Sequence, residues 1–238
     1  MTPTNTLGDD LTRRLLAWND DLAWVSENGP LMAAAVIELA SGGPVEPERI
    51  AARSGRPQAT VLDFLRSAPA EWDDRGRLVG FGLTLLATRD RFTTNGRTMY
   101  TWCAPDALTF PVLIGAPALI ESTCFATGTA IRIEVTPDGV RSVEPAGAVV
   151  SIVPRAIGVG ELRARLCHEQ HFFASSEAAD AWRGEREGVL VVPVADAFEP
   201  LRQLMRHWTA HPSAATCAPS ARLALARGSS SAAGWSAA

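Results

Sequence analysis

Residues 100–111 read YTWCAPDALTFP and take the chain from a predicted strand into a predicted helix. Proline suits the first turn of a helix, so Pro105 predicts a helix that begins just after Cys103. The helix dipole at such a position favours a thiolate, and we expect it to lower the pKa of Cys103. An i, i+3 spacing brings Asp106 within reach of Cys103. The segment thus predicts a thiol and a carboxylate held together at one end of a helix.

Upstream of this segment, apolar residues recur at helical spacing. They predict four helices, over residues 10–25, 31–39, 47–54 and 58–67. The last two are separated by Gly55-Arg56-Pro57, which is helix-turn-helix spacing, and a hairpin is predicted at residues 72–79. Together these elements predict a helical, winged-helix-like module over residues 1–80. Winged helices often bind DNA, but the candidate recognition helix 58–67 carries only Arg66 as a basic residue, which argues against phosphate contacts.

Downstream, short β-rich runs alternate with Gly and Pro turns and with helical patterns. Strands are predicted at residues 130–135, 148–153 and 188–194, and helices at 161–166, 176–183 and 197–207. The pattern predicts an α+β fold in which antiparallel sheets pack with helices, with a catalytic core over residues 81–212. Residues 213–238 are rich in Ala, Ser and Gly, so we expect a flexible tail there.

The amino-acid composition limits the classes of partner that the protein can have. The net charge is -4 over 238 residues, which argues against a broad nucleic-acid surface. The N-terminus lacks the features of a signal peptide, and the apolar runs are far shorter than the ~20 residues of a membrane span. We therefore expect a cytoplasmic protein without nucleic-acid or membrane partners, whose four cysteines, at 103, 124, 167 and 217, are reduced thiols.

A second informative thiol, Cys167, lies in the sequence LCHEQHFF, residues 166–173. Apolar neighbours predict burial, which by itself raises a thiol pKa and keeps the group inert. A reactive Cys167 therefore needs a bound metal or a nearby base, and His168 and His171 are both candidates. The same three residues could instead bind zinc, although the chain lacks a Cys-x-x-Cys pair.

Five segments resemble, in the same order, the bacterial organomercurial lyases, also called alkylmercury lyases. They are GFGLTL at 80–85, WCAPDALTFP at 102–111, STCFATG at 122–128, VEPAG at 143–147, and Cys167 with HFFAS at 171–175. The similarity is strong over residues 76–175, and residues 25–75 are similar in pattern only. Five motifs in register make coincidence improbable.

The resemblance implies an enzyme that splits the carbon-mercury bond of alkyl and aryl mercury compounds by protonation, giving a hydrocarbon and Hg(II). It assigns Cys103 and Cys167 as the thiols that bind mercury and retain the Hg(II) product, and Asp106 as the proton-transferring carboxylate. Cys124 matches a cysteine usually taken as structural. His168 departs from several family members, which carry a further cysteine there. We expect no cofactor, and thiols or a mercuric reductase as the acceptor of Hg(II).

The chemistry fits these residue types, because soft thiolates are the ligands that soft metal ions such as Hg(II) prefer. Protonation of carbon also needs an acid, so the mechanism requires a site that raises the pKa of Asp106 above its ordinary ~3.9. Trp102 and Phe110 are candidates for apolar contacts with the organic group, or are plain core residues. Two rival functions are a winged-helix regulator that senses metal through thiols, and a protein that only sequesters mercury or copper.

Overall fold

The computed structural model describes residues 6–20, 23–155 and 157–210. Within these ranges the chain forms α-helices and antiparallel β-sheets, which confirms the predicted α+β class. The predicted tail, residues 213–238, and Cys217 lie outside the described residues. Among the described residues, no helix combines the length and the apolar content that a bilayer span requires.

The helices agree with most of the predicted positions. They are α1 (Thr6–Asp20), α2 (Ala23–Leu39), α3 (Pro47–Ser54), α4 (Gln58–Ser67), α5 (Ala104–Ile114), α6 (Ser176–Arg183) and α7 (Val194–Ala210). The bounds of α3 were predictable because Pro47 occupies its first turn and Gly55, at φ 68°, ends it in the left-handed conformation that glycine tolerates.

The break between the first two helices was predicted in the wrong place. The sequence suggested that the first helix extends to Val25 and that the second begins at Leu31, but α2 already begins at Ala23 and passes through Pro30. An interior proline costs a helix about 3 kcal/mol. Burial offsets this cost, because most of the apolar side chains from Leu31 to Leu39 are buried.

The strands form two antiparallel sheets. They are β1 (Glu71–Trp72), β2 (Leu78–Phe81), β3 (Leu83–Thr84), β4 (Asp90–Thr94), β5 (Arg97–Thr101), β6 (Ala118–Thr123), β7 (Ala130–Thr136), β8 (Gly139–Glu144), β9 (Val149–Ile152), β10 (Phe172–Phe173) and β11 (Leu190–Pro193). The larger sheet has the order β1-β2-β3-β5-β4-β6-β7-β8, and the smaller has the order β10-β9-β11.

The predicted hairpin is present as the antiparallel pair β1–β2. Strand β2 also pairs with β3, so the hairpin is continuous with the eight-stranded sheet. Strand β2 spans residues 80 and 81, where the sequence suggested a division between two domains. The winged-helix interpretation and that division both stay predictions.

Residues 159–169 were predicted to contain an α-helix at 161–166 and instead form three consecutive helical turns of other types. Val159–Glu161 and Cys167–Glu169 are 3-10 turns, and Leu162–Leu166 is a π-helical turn. Of Leu162–Leu166, only Leu166 is buried, so the segment lacks the broad apolar face that stabilises a regular helix. It delivers Cys167 to the core, where Cys167 is 5% exposed.

Helix α7 is the last element of the described chain. It packs against α1, α2 and α5, which joins the C-terminal part of the described chain to its N-terminal helices. Helix α5 packs against both sheets and is buried along most of its length. The start of α5 therefore lies in the interior, between the two sheets and the helices.

Candidate functional site

Cys103 lies at the junction of β5 and α5, as the sequence predicted. It is the N-cap residue of α5, in an extended conformation, and Pro105 lies in the first turn. The junction is held on both sides, because the Trp102 N–H donates to the Gly82 carbonyl at 2.8 Å and the Thr101 hydroxyl donates to the Cys103 carbonyl at 3.1 Å. Cys103 is 2% exposed, so its sulfur faces the interior.

The segment of Cys167 is attached directly to the segment of Cys103. The Ala104 N–H donates to the Gln170 carbonyl at 3.2 Å, and the Gln170 N–H donates to the Cys167 carbonyl at 3.3 Å. Ser151 of β9 anchors the same stretch, because its hydroxyl donates to the Glu169 carbonyl at 2.9 Å. Two thiols that lie 64 residues apart in sequence (167 − 103) therefore meet in the fold.

The ligand atoms of Cys103, Asp106 and Cys167 all lie within 4.8 Å of one another. Two metal–sulfur bonds of about 2.3 Å, the length found with zinc, would span up to about 4.6 Å, so one soft metal ion can bridge the two sulfurs. In the part of the chain that the structure describes, this is the one group of three or more Cys, His, Asp or Glu side chains close enough to share an ion. The alternative set of Cys167, His168 and His171 does not form such a group.

The pKa of Cys103 is raised well above its ordinary value, which corrects the sequence-based expectation. Burial is the main cause, and the neighbouring Cys167 thiol and Asp106 carboxylate add to it. The helix N-terminus contributes less than expected because few of its N–H groups are free. Pro105 has none, and that of Ala104 donates to the Gln170 carbonyl.

Asp106 has a raised pKa, which protonation of carbon requires. Burial raises its pKa to about 7; a hydrogen bond with Cys103 opposes the increase, and the carboxylate of Asp90 adds to it. Its Oδ2 atom is buried and makes no hydrogen bond within the described residues. At neutral pH this carboxyl group can therefore both accept and donate a proton.

The three side chains line an apolar cavity of about 80 Å³. Its walls come from α1, α2, α5, α7 and the turns at 159–169, and both predicted contact residues, Trp102 and Phe110, line it. Phe110 packs closely over Gly82, where an added Cβ would lie 2.7 Å from its ring. The cavity suits an uncharged organic group bound to a metal held by the thiols.

The sequence did not predict a polar cluster at the cavity wall, which consists of Glu71, Thr84, Trp102 and Arg163. The Trp102 indole N–H donates to Glu71 Oε2 at 3.3 Å, and Thr84 Oγ1 donates to the same oxygen at 2.5 Å. Arg163 forms an ion pair with Glu71 and lies over the Trp102 ring at 4.9 Å. No spacing signal marks Glu71 and Arg163, because they are 92 residues apart in the chain.

Two further sequence candidates, Cys124 and His171, do not line the cavity. Cys124 is fully buried; burial acts to raise its pKa, but hydrogen bonds from Thr127 and from backbone N–H groups outweigh it and the pKa is lowered. His171 stacks on Phe125, with ring centroids 3.7 Å apart, and burial lowers its pKa to about 4. His171 is therefore neutral at physiological pH and is occupied in aromatic packing.

Comparisons with known proteins identify the family of this chain. The family model described as alkylmercury lyase matches residues 83–208, which include all three site residues. The chain is 44% identical over 181 residues to an alkylmercury lyase of Staphylococcus epidermidis, covering 75% of this chain and 83% of that protein. It is 46% identical over 168 residues to one of Streptomyces lividans, covering 70% and 77%.

A solved structure also shares the fold. The crystal structure of the mercury-bound form of MerB2 superposes with a TM-score of 0.67 at 21% identity, covering 83% of this chain and 98% of that one. At that identity the match supports the fold alone. The family model and the relatives of 44% and 46% identity show the family, and the chain belongs to the alkylmercury lyases.

Proposed function

We propose that this protein is an organomercurial lyase in which Cys103 and Cys167 bind the mercury of R–Hg–X and Asp106 transfers the proton that releases R–H. The observation that carries the proposal is the convergence of the two sulfurs and the carboxylate within 4.8 Å in an apolar cavity. Thiolates supply the affinity for mercury, and a carboxyl group of raised pKa supplies the proton.

The first step is thiol exchange at mercury. Burial raises the pKa of the Cys103 thiol and so keeps this thiol protonated in the resting site. One cysteine binds mercury in place of X, and its proton leaves with X as H–X. The second cysteine then coordinates, and its proton passes to the Asp106 carboxylate. The mercury now has two sulfur ligands and the carbon ligand.

The second step is protonolysis. Protonated Asp106 delivers its proton to carbon, and the electron pair of the carbon-mercury bond becomes the new carbon-hydrogen bond. The overall reaction is R–Hg–X plus two cysteine thiols, giving R–H, H–X and Hg(II) bound by two thiolates. Mercury keeps its oxidation state throughout, so the reaction needs no external oxidant or reductant.

The buried acid favours this function over simple sequestration of a metal. A site that only stores mercury gains nothing from a carboxylate beside its thiols, because burying that group without full hydrogen bonding is costly. Asp106 carries this cost, since one of its oxygens is buried and makes no hydrogen bond within the described ranges.

Incubation with methylmercury or phenylmercury and excess thiol tests the proposal, with methane or benzene as the measured product. We expect release by the wild type and its loss in Cys103→Ser, Cys167→Ser and Asp106→Ala. Cys217→Ser is the matched control, because it removes a thiol outside the proposed set. The absence of hydrocarbon from the wild type would refute the lyase; activity retained in Cys103→Ser would refute the assignment of that ligand.

Retention of the product separates the roles of the thiols from that of the acid. After one turnover and removal of small molecules, we expect about one Hg(II) per wild-type chain by elemental analysis, consistent with two thiolate ligands. Asp106→Ala should retain the mercury together with its organic group. Mercury without the organic group in Asp106→Ala would contradict the proton-transfer role.

Several finer points belong to the same proposal. Thiols or a mercuric reductase are the acceptors we expect for Hg(II), since thiolate ligands exchange with other thiols. We also propose a cytoplasmic location, no nucleic-acid partner, and Trp102 and Phe110 as the surface that contacts the organic group. The acceptor is tested by whether free thiol or a purified reductase removes Hg(II) faster from the loaded protein.

A further inference from the structure

Glu71 reaches the cavity wall from β1, at the edge of the larger sheet. Its side chain is only 11% exposed. Thr84 Oγ1 and the Trp102 indole N–H both donate to Glu71 Oε2, and Arg163 pairs with Oε1. Glu71 itself does not line the cavity, so it can affect the reaction only through these partners.

The directions of these hydrogen bonds are fixed by the groups that make them. The Leu86 backbone N–H donates to Thr84 Oγ1 at 3.1 Å, which leaves the hydroxyl hydrogen of Thr84 to point to Glu71. An indole N–H and a guanidinium can only donate. The backbone also leaves space for the carboxylate, because an added Cβ at Gly80 would collide with Glu71 Oε2. A carboxylate, with two acceptor oxygens, satisfies all of these donors at once.

The two oxygens of Glu71 connect the two segments that carry the cysteines. Trp102 precedes Cys103, and Arg163 lies four residues before Cys167 (167 − 163). Arg163 also lies over the Trp102 ring, 4.9 Å from its centroid. The indole ring therefore cannot rotate without breaking the hydrogen bond to Glu71 or the contact with Arg163.

The Trp102 ring is part of the cavity that we assign to the organic group. Leu162 and Leu166, which flank Arg163 in the sequence, line the same cavity. A phenyl group presents many more carbon atoms to such a wall than a methyl group does, so it gains more from dispersion and aromatic contacts. A wall held in one orientation therefore favours aryl mercurials over methylmercury.

We propose that Glu71 is a positioning residue, whose carboxylate joins Trp102 to Arg163 and so holds the cavity wall that receives the aryl group of arylmercurials. The inference rests on the proposed function and on Trp102 as a contact of the organic group. Glu71 touches neither mercury nor carbon and takes no part in proton transfer. It acts on the binding of the organic group and leaves the cleavage step unchanged.

Glu71→Gln tests this role at nearly unchanged volume. The amide keeps one acceptor oxygen and replaces the other with an NH₂ group, which cannot accept, so one of the two connections is lost. We expect the ratio of kcat/KM for phenylmercury to that for methylmercury to fall about 2- to 10-fold, the range that an aromatic pair contributes. The fall should come mainly from a higher KM for phenylmercury.

Glu121→Gln is the matched control. It makes the same substitution in an ion pair with Arg91, and neither residue lines the cavity. We expect the ratio of the control to equal that of the wild type. A general loss of stability would lower the activity toward both substrates and would not change their ratio.

The contact with Trp102 has a second readout that needs no organomercurial. In isotope-labelled protein, the indole N–H resonance of Trp102 is identified by its loss in Trp102→Phe. We expect hydrogen exchange at this group to be about fivefold faster or more in Glu71→Gln, because a neutral acceptor holds a donor more weakly than a carboxylate does. Exchange in Glu121→Gln should equal that of the wild type.

A double-mutant cycle shows whether Glu71 acts through Trp102. Trp102→Phe lacks the indole donor, so adding Glu71→Gln should change the substrate ratio less in this background than in the wild type. Arg163→Met is the second variant, for the case that Glu71→Gln does not fold. Arg163 is 41% exposed and tolerates replacement, and its loss should lower the same ratio about twofold or more.

Four outcomes overturn the inference. They are a substrate ratio in Glu71→Gln equal to that of the wild type, unchanged exchange of the indole N–H, an undiminished effect of Glu71→Gln in the Trp102→Phe background, and an unchanged ratio in Arg163→Met. The absence of hydrocarbon from the wild type with both substrates would refute the lyase. The exchange measurement would still report on the contact between Glu71 and Trp102, so the two failures are distinguishable.

Discussion

Replacing Asp106 with asparagine should make the protein more stable at neutral and alkaline pH while abolishing hydrocarbon release. Asparagine has nearly the same shape as aspartate but cannot ionise or deliver a proton. The wild-type chain must either keep a proton on Asp106 or bury its charge, and Asp106→Asn avoids both. The substitution therefore separates the effect of Asp106 on stability from its role in proton transfer.

The magnitude follows from the pKa of Asp106. The unfolded chain releases this proton near pH 3.8 and the folded chain near pH 7. Between those values the folded state binds more protons, so its stability falls as the pH rises, by about 1.4 kcal/mol per pH unit. The shift from 3.8 to about 7 gives about 4 kcal/mol. Because Asp106 is only partly buried, water reduces this cost. We expect Asp106→Asn to raise the free energy of unfolding by about 2–4 kcal/mol at neutral and alkaline pH.

The assay is chemical unfolding of both proteins at several pH values between 4 and 9. The advantage of Asp106→Asn should grow from pH 4 to about pH 7 and then level off, because above its folded pKa the wild type is ionised in both states. Asp138→Asn makes the same substitution at an exposed turn and serves as the reference. An advantage that does not change with pH would refute the reasoning.

Three further substitutions test other parts of the site. Cys124→Ala should lower the free energy of unfolding by about 1–3 kcal/mol and keep hydrocarbon release per folded molecule, because Cys124 is buried outside the cavity. Gly82→Ala should cost about 2–4 kcal/mol in thermal unfolding, because φ is +70° and the new Cβ would meet Phe110; unchanged stability would contradict the close packing. Arg163→Met should raise KM for phenylmercury a few-fold and leave kcat nearly unchanged, because Trp102 loses a cation–π contact worth about 0.5–1 kcal/mol. A loss confined to kcat would contradict that role.

Local features of the fold were predictable where the sequence carries its own start and stop signals. Helix α3 was predicted with correct bounds because Pro47 and Gly55 mark its ends. The position of Cys103 at a helix start followed from Pro105 in the same way. The start of α2 was missed, because α2 passes through Pro30 and only the packing of the completed fold offsets an interior proline.

The parts of the site that depend on distant contacts could not be predicted from spacing. The meeting of Cys103 with Cys167 came from the resemblance, not from periodicity. The predicted direction of the Cys103 pKa shift was wrong, because burial and the use of the helix N–H groups are properties of the folded chain. Gln170, whose backbone joins the segments of the two cysteines, went unnoticed because a single glutamine has no motif.

The two sulfurs differ in the stiffness of the backbone that carries them. Cys103 caps an α-helix that is buried between two sheets, whereas Cys167 follows a π-helical turn and begins a 3-10 turn, forms often found at hinges. We therefore expect the backbone at Cys167 to adjust more readily than the backbone at Cys103 when a ligand bridges the two sulfurs.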